Sequence, residues 1–292
     1  MDRRRRGWLF AAVGMLLVST DSFFIRWSEE GSWTINFWVA LFSLLLYCGI
    51  GIATKEPTPV AAYRAARWPL LWVAIGATLS QIMFVTAITR TSVANVVVIV
   101  AATPIVAALI GKAAFGESTS RRVWTAIGIT FSGVMIIVAR SVGEPTLDGD
   151  LLAIGAITMF AINMNLWRRY PDMSRVNGLA TSSVLVMTVS VIAGVTFAID
   201  GRAFVAVMGM GLIFNPLGRL FHTHAPRFAP AGEVAMFTPI ETVAASLWAW
   251  IGFSEVPETW TVVGGVIVIV GMLYGTIGRY RDPVIVTGRS SG

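Results

Sequence analysis

The sequence predicts an all-α integral membrane protein of ten transmembrane helices, arranged as two inverted five-helix repeats. Three observations carry this. Of 292 residues, 55% are hydrophobic and only 13% charged, against roughly a quarter charged in soluble domains. The apolar residues fall into runs long enough to span a bilayer, about 20 residues each. The basic residues collect on alternate connections between those runs.

The runs lie near 8–27, 32–54, 68–88, 92–112, 122–140, 148–167, 176–199, 203–222, 231–252 and 259–279. Connections are short, and the longest, near Lys55–Arg67 and Arg140–Asp150, hold most of the loop Pro, Gly and charge. The opening Met-Asp-Arg-Arg-Arg-Arg-Gly precedes an apolar stretch of span length with no small-x-small cleavage site. It reads as an uncleaved first span with a basic flank.

Orientation follows from the 22 Lys and Arg residues. With the N-terminus in the cytoplasm, the inner side holds Arg3 to Arg6, Lys55, Arg64, Arg67, Lys112, Arg121, Arg122, Arg168, Arg169, Arg175, Arg219, Arg227, Arg279, Arg281 and Arg289. The outer side holds only Arg26, Arg90, Arg140 and Arg202. The expectation is a multi-pass protein of the cell membrane with both termini cytoplasmic. The net charge of +6 thus reports topology, and no nucleic-acid partner is expected. The 11 tryptophans lie near span ends, as an interfacial aromatic belt requires; Trp167 is read as a belt residue.

The two halves, residues 1–145 and 146–292, resemble each other. Offset by 138, residues 87–133 align with 225–271, with Phe115-Gly116-Glu117 meeting Phe253-Ser254-Glu255. Five helices is an odd number, so the second repeat lies inverted in the membrane, the architecture typical of secondary transporters.

In its 5+5 pattern, the chain resembles the drug/metabolite transporter superfamily, in the ten-helix form with two EamA-type repeats. The residues that carry the resemblance are the tight Thr89-Arg90-Thr91 connection, the fourth run with Thr103-Pro104-Ile105-Val106-Ala107-Ala108, and the ninth with Pro239-Ile240-Glu241-Thr242-Val243-Ala244-Ala245. Thr242 stands where many members carry proline after the Glu, with Pro239 three residues earlier. The overall look is nearest to amino-acid exporters of the YddG type. The resemblance implies export or exchange of a small polar metabolite by alternating access about a midplane cavity. A multidrug or hydrophobic-cation exporter of the same superfamily is the alternative, and a non-transport membrane enzyme or structural subunit the third reading.

Polar residues in spans are costly and usually face a bundle interior. Candidate substrate-binding residues are Thr20, Asp21, Gln81, Phe84, Asn95, Met159, Asn163, Asn215 and Glu241. Span three offers Ala77, Gln81 and Phe84 on one face, and span six Met159, Asn163 and Trp167. Gly211, Asn215, Arg219 and His222 are read as one face of span eight; Asn215 is assigned to the cavity, while Arg219 and His222 are expected to snorkel as basic anchors. Glu233 is expected to pair with Arg219 or Arg227. Pro104, Pro216 and Pro239 interrupt their helices and are candidate hinges.

Gly271 and Gly275 form a small-xxx-small pair, read as intrachain packing, with a homodimer contact as its other use. Single Cys48 permits no intramolecular disulfide. No enzyme motif, cofactor or metal site is expected; the partners are a small-molecule substrate and the bilayer.

This topology predicts that a reporter active only in the cytoplasm works when fused after Arg67 or Arg281 and fails when fused after Arg140. The opposite pattern overturns the orientation.

Overall fold

The computed structural model describes residues 2–90, 96, 99–100, 102–115, 120–138, 147–253 and 259–277. Its described elements are helical: α1 Arg3–Val18, α2 Asp21–Ser28, α3 Ser32–Ala53, α4 Pro59–Ala66, α5 Trp68–Arg90, α6 Thr103–Phe115 and α7 Arg121–Val138. There follow α8 Leu147–Arg169, α9 Arg175–Ile192, α10 Gly201–Gly209, a π-helical turn Met210–Phe214, α11 Asn215–His224, α12 Ala231–Ala235, α13 Pro239–Phe253 and α14 Thr259–Ile277. Among the described residues, six helical stretches are long and apolar enough to cross a membrane: Arg3–Ser28, Ser32–Ala53, Trp68–Arg90, Leu151–Arg169, Arg175–Ile192 and Gly201–Arg227.

Local chemistry sets the boundaries. Ser174 and Asp200 cap α9 and α10, accepting the amides of Asn177 and Ala203 at 3.2 and 2.6 Å; each satisfies an N–H that the helix leaves free. The seventh apolar run was expected to stay helical to residue 199, but α9 ends at Ile192. Gly194 takes a left-handed conformation (φ +94°) and stops it, as glycine commonly does just past a helix C-terminus.

Four apolar runs are interrupted. Between α1 and α2, the Ser19 and Thr20 hydroxyls donate to Leu16 O and Leu17 O at 2.6 and 2.8 Å, a back-bonding that bends helices. Pro104 is the second residue of α6, Pro216 the second of α11 and Pro239 the first of α13. For Pro104 and Pro239, in a first turn, the missing N–H is no loss. Pro216 instead lies inside a continuous helix, where Phe214 and Asn215 are both helical, and its missing N–H falls where the regular ladder gives way to the π turn.

The helices pack in defined pairs. α5 lies on α8, α1 on α11, α3 on α9, α7 on α14 and α6 on α12. α6 also meets α8, and α1 meets α13. Glycines permit the closest approaches. A Cβ on Gly14 would lie 2.8 Å from Gly218 O, and one on Gly218 would lie 2.9 Å from Gly14 O. Gly133 and Gly271 do the same between α7 and α14, against Gly264 O at 2.7 Å and Thr130 N at 2.9 Å. Gly271 and Gly275 are thus both covered within the chain, the latter by Ala126 and Met236 of other elements.

Gly218→Ala is expected to lower stability by about 1–3 kcal/mol through overpacking, whereas Gly128→Ala, with open space around it, is expected to be nearly neutral. Thermal melting in detergent compares the two; equal shifts would refute the close-packed α1–α11 contact.

Candidate functional site

The helix interruptions converge on one cavity of about 110 Å³, room for a few waters or a small solute. Its wall takes Met15, Val18 and Asp21 from α1 and α2, Ala77, Ser80 and Phe84 from α5, and Val100 and Thr103 beside the start of α6. α8 contributes Ala156, Ile157, Phe160, Asn163, Met164 and Trp167. Leu179, Arg219, His222, Thr223, Pro226, Thr238 and Glu241 complete it.

Asp21 heads α2 and is 4% exposed. Its Oδ2 accepts a 2.6 Å hydrogen bond from Asn215 Nδ2. Its Oδ1 is buried with no hydrogen-bond partner among the described residues. Asn163 donates to Val73 O at 3.2 Å, and its Oδ1 is likewise unpaired, as are His222 Nε2 and the Thr238 hydroxyl. Unsatisfied polar atoms cost about 1–3 kcal/mol each when buried. Four of them sit on residues of this one wall, so unpaired polarity concentrates around the cavity. Arg219 supplies the cation, within electrostatic range of both Asp21 and Glu241.

The predicted residues separate cleanly. Asp21, Phe84, Asn163 and Glu241 line the cavity; Asn215 stands behind Asp21 and fixes its carboxylate. Thr20 is buried with its hydroxyl spent on Leu17 O. Gln81 turns away to Asn36, donating to Oδ1 at 3.4 Å; Ser80, one residue earlier, lines the cavity instead. Met159 also lies off the wall, and Phe160 takes the place expected of it. Asn95, Glu117 and Glu255 lie outside the described residues. Pro104 and Pro239 sit at helix starts and Pro216 just after the π turn of a continuous helix, and none of the three lines the cavity.

Four expectations are corrected. Trp167 is not an interfacial belt residue: it is 2% exposed and lines the cavity, because Gly178 of α9 leaves a socket for its ring. His222 does not snorkel; it is 3% exposed and stacks on Phe160 with ring centroids 5.1 Å apart, and Arg219 points into the same cavity. Glu233 pairs with Arg4, which holds both its carboxylate oxygens, and accepts from Trp8 Nε1 at 3.3 Å. Gly211 does not share the face of Arg219: the π turn inserts wider spacing, and Gly211 packs on Val39 of α3 with its carbonyl accepting from Ser43 at 2.9 Å.

Thr238 is the wall residue that sequence reasoning missed although a signal existed. Thr103-Pro104 and Thr238-Pro239 are the same dipeptide at the same kind of break, and both threonines line the cavity. The alignment at offset 138 slides past this match by three residues. Among the described residues, no group of three His, Cys, Asp or Glu side chains gathers to hold a metal.

Residues 5–139 match the EamA-like transporter family. The matched EamA-like domain runs from α1 to α7 and includes the cavity residues Asp21, Phe84 and Thr103. No curated protein matches the chain. Solved structures do, 29 chains in all. One, a crystal structure of a protein, shares 15% identity and covers 96% of this chain and 100% of its own at a TM-score of 0.80. At that identity the likeness shows the fold alone: the arrangement seen here, including the helices beyond the EamA-like domain, is one that another chain adopts over its whole length.

Asn215→Ala leaves the buried Asp21 carboxylate without its donor and is expected to lower stability by about 1–3 kcal/mol. Asn215→Ala in an Asp21→Leu background is expected to cost less than half as much. Additive losses in a double-mutant cycle would overturn the pairing.

Proposed function

We propose that the chain is a secondary transporter that exports or exchanges small polar metabolites, with amino acids the leading class, by alternating access about the central cavity. The observation that carries this reading is the mixed lining of that cavity. Arg219 is matched to a carboxylate, while Asp21 and Glu241 are matched to an ammonium group. Phe84, Phe160, Met15 and Met164 offer apolar surface to a side chain. The EamA-like domain supports transport as the general activity.

In this reading the chain is two repeats, 1–145 and 146–292, forming ten spans with cytoplasmic termini. Helix pairing supports it. Numbering the runs one to ten, the pair three–six becomes eight–one when the halves are exchanged, and four–six becomes nine–one. The pairs two–seven, five–ten and four–nine map onto themselves. All of these pairs occur. A matched set of contacts of this kind lets two conformations differ mainly by exchanging the roles of the halves.

The acids and aromatic rings also favour a second reading, export of a hydrophobic cation. Purified protein in liposomes separates the two. Uptake of a mixed pool of neutral amino acids above empty vesicles is expected. Glu241→Gln and Asp21→Asn should each cut it about tenfold or more, as expected for losing a hydrogen bond to a charged group. No amino-acid movement, together with transport of tetraphenylphosphonium that Glu241→Gln abolishes, would replace the first reading by the second.

A further inference from the structure

A second pocket, about 220 Å³, opens beside the central cavity at the end of the bundle where Arg3, Arg4, Arg168 and Arg227 gather. It lies among α4, the α8–α9 connection and the end of α11. Its charged residues are Glu56, Asp172, Arg175 and Arg227, with the His224 imidazole beside them.

Only a thin layer divides this pocket from the central cavity. Thr223 faces the cavity and His224 the pocket; Pro226 faces the cavity and Arg227 the pocket. Those neighbours in sequence stand on opposite sides of the same wall. The rest of the layer is a stacked pair. Trp167 lines the cavity, Arg175 lines the pocket, and the Arg175 guanidinium carbon lies 5.2 Å from the Trp167 ring centroid.

The pair is held lightly for its burial. Arg175 is 4% exposed, yet its donors reach only carbonyls: Pro171 O, Met173 O at 2.8 Å and Thr223 O at 3.5 Å. Its Nη2 has no hydrogen-bond partner among the described residues. A buried guanidinium without a carboxylate against it is poorly compensated for desolvation, so moving it toward the open pocket recovers solvation and brings it nearer Glu56, which already accepts from Ser174, and Asp172, already paired with Arg227 at 3.6 Å. Trp167 rests on Gly178, where a Cβ would come within 2.9 Å of its ring, so the indole is shaped to its socket rather than bonded into it.

We infer that the second pocket is the basic-end mouth of the substrate path, a mixed-charge antechamber for a small zwitterion, and that the Arg175–Trp167 pair is the partition that closes it. This inference rests on the transport reading for its purpose, but its geometry is testable without transport. Cys48 is replaced by Ala, and Ser80, inside the central cavity, becomes the sole thiol through Ser80→Cys. A membrane-impermeant, charged thiol reagent is then applied from either face of oriented vesicles. Trp167→Ala and Arg175→Gln are each expected to raise the labelling rate from the basic-end face about tenfold, as for losing a desolvated cation–π contact, and to leave the rate from the other face unchanged. Trp167→Phe, which fills most of the socket, should give a smaller rise and guards against a folding defect in the alanine variant. Unchanged rates in folded Trp167→Phe and Arg175→Gln proteins overturn the partition, whatever the uptake assay shows. Raised rates in a protein that moves no solute keep the partition and remove the transport reading.

Discussion

Hydrocarbon offers a backbone amide no partner, so a membrane helix is broken only where protein or a wet cavity satisfies the groups set free. The rest of this structure follows from that constraint. Runs one, four, eight and nine are each interrupted, by hydroxyl back-bonding, by proline or by a π turn. All four interruptions bring residues to one cavity. The unbroken helices α5 and α8 close its sides, and α8 alone supplies six wall residues. The breaks are therefore not separate defects but a single arrangement that concentrates exposed polarity in one place.

The same constraint explains the glycines. Without a hydrophobic drive between helices in lipid, association depends on close packing. Gly14 and Gly218 bring α1 and α11 together, about two turns of α1 before Asp21 and one turn of α11 after Asn215. That packing holds the two helices close enough for the 2.6 Å hydrogen bond from Asn215 to Asp21 Oδ2, and the bond leaves Oδ1 as the unpaired carboxylate oxygen. Gly76 performs the corresponding service for α5 and α8, where its missing side chain admits Asn163. Both carboxamides belong to the second half, and each meets the first half near a glycine-narrowed crossing.

Much of this was legible in the sequence because membrane spans announce themselves by length and hydropathy alone. Described helix lies under each apolar run, and Asp21, Asn163, Asn215 and Glu241 stand out because polar residues in hydrocarbon need a reason. What was not legible depends on helix rotation and on distant partners. Taking Met159 instead of Phe160 is an error of one residue, or about 100° of helix. The face through Gly211 and Arg219 failed because a π turn leaves no mark in hydropathy. Glu233 was assigned to nearby arginines, yet its partner Arg4 is 229 residues away, and only the packing of α1 against the α12–α13 break brings them together.

Trp167 shows why composition rules mislead at cavity ends. A tryptophan near a span end is most often interfacial, and Trp68 and Trp72 are exposed in that manner. Trp167 sits at a comparable depth but on the face that α8 turns toward α9 and α11, so the same depth that suits an indole to the membrane surface places it at the floor of an internal cavity. The stacked Arg175 follows from that position. An arginine at the first residue of α9 faces an unfavourable helix dipole, and burial deepens the cost. The ring's π face and the carbonyls of Pro171 and Met173 offset part of it, which keeps the charge in place without locking it there. A cation that is tolerated rather than firmly paired is suited to a boundary that must open and close.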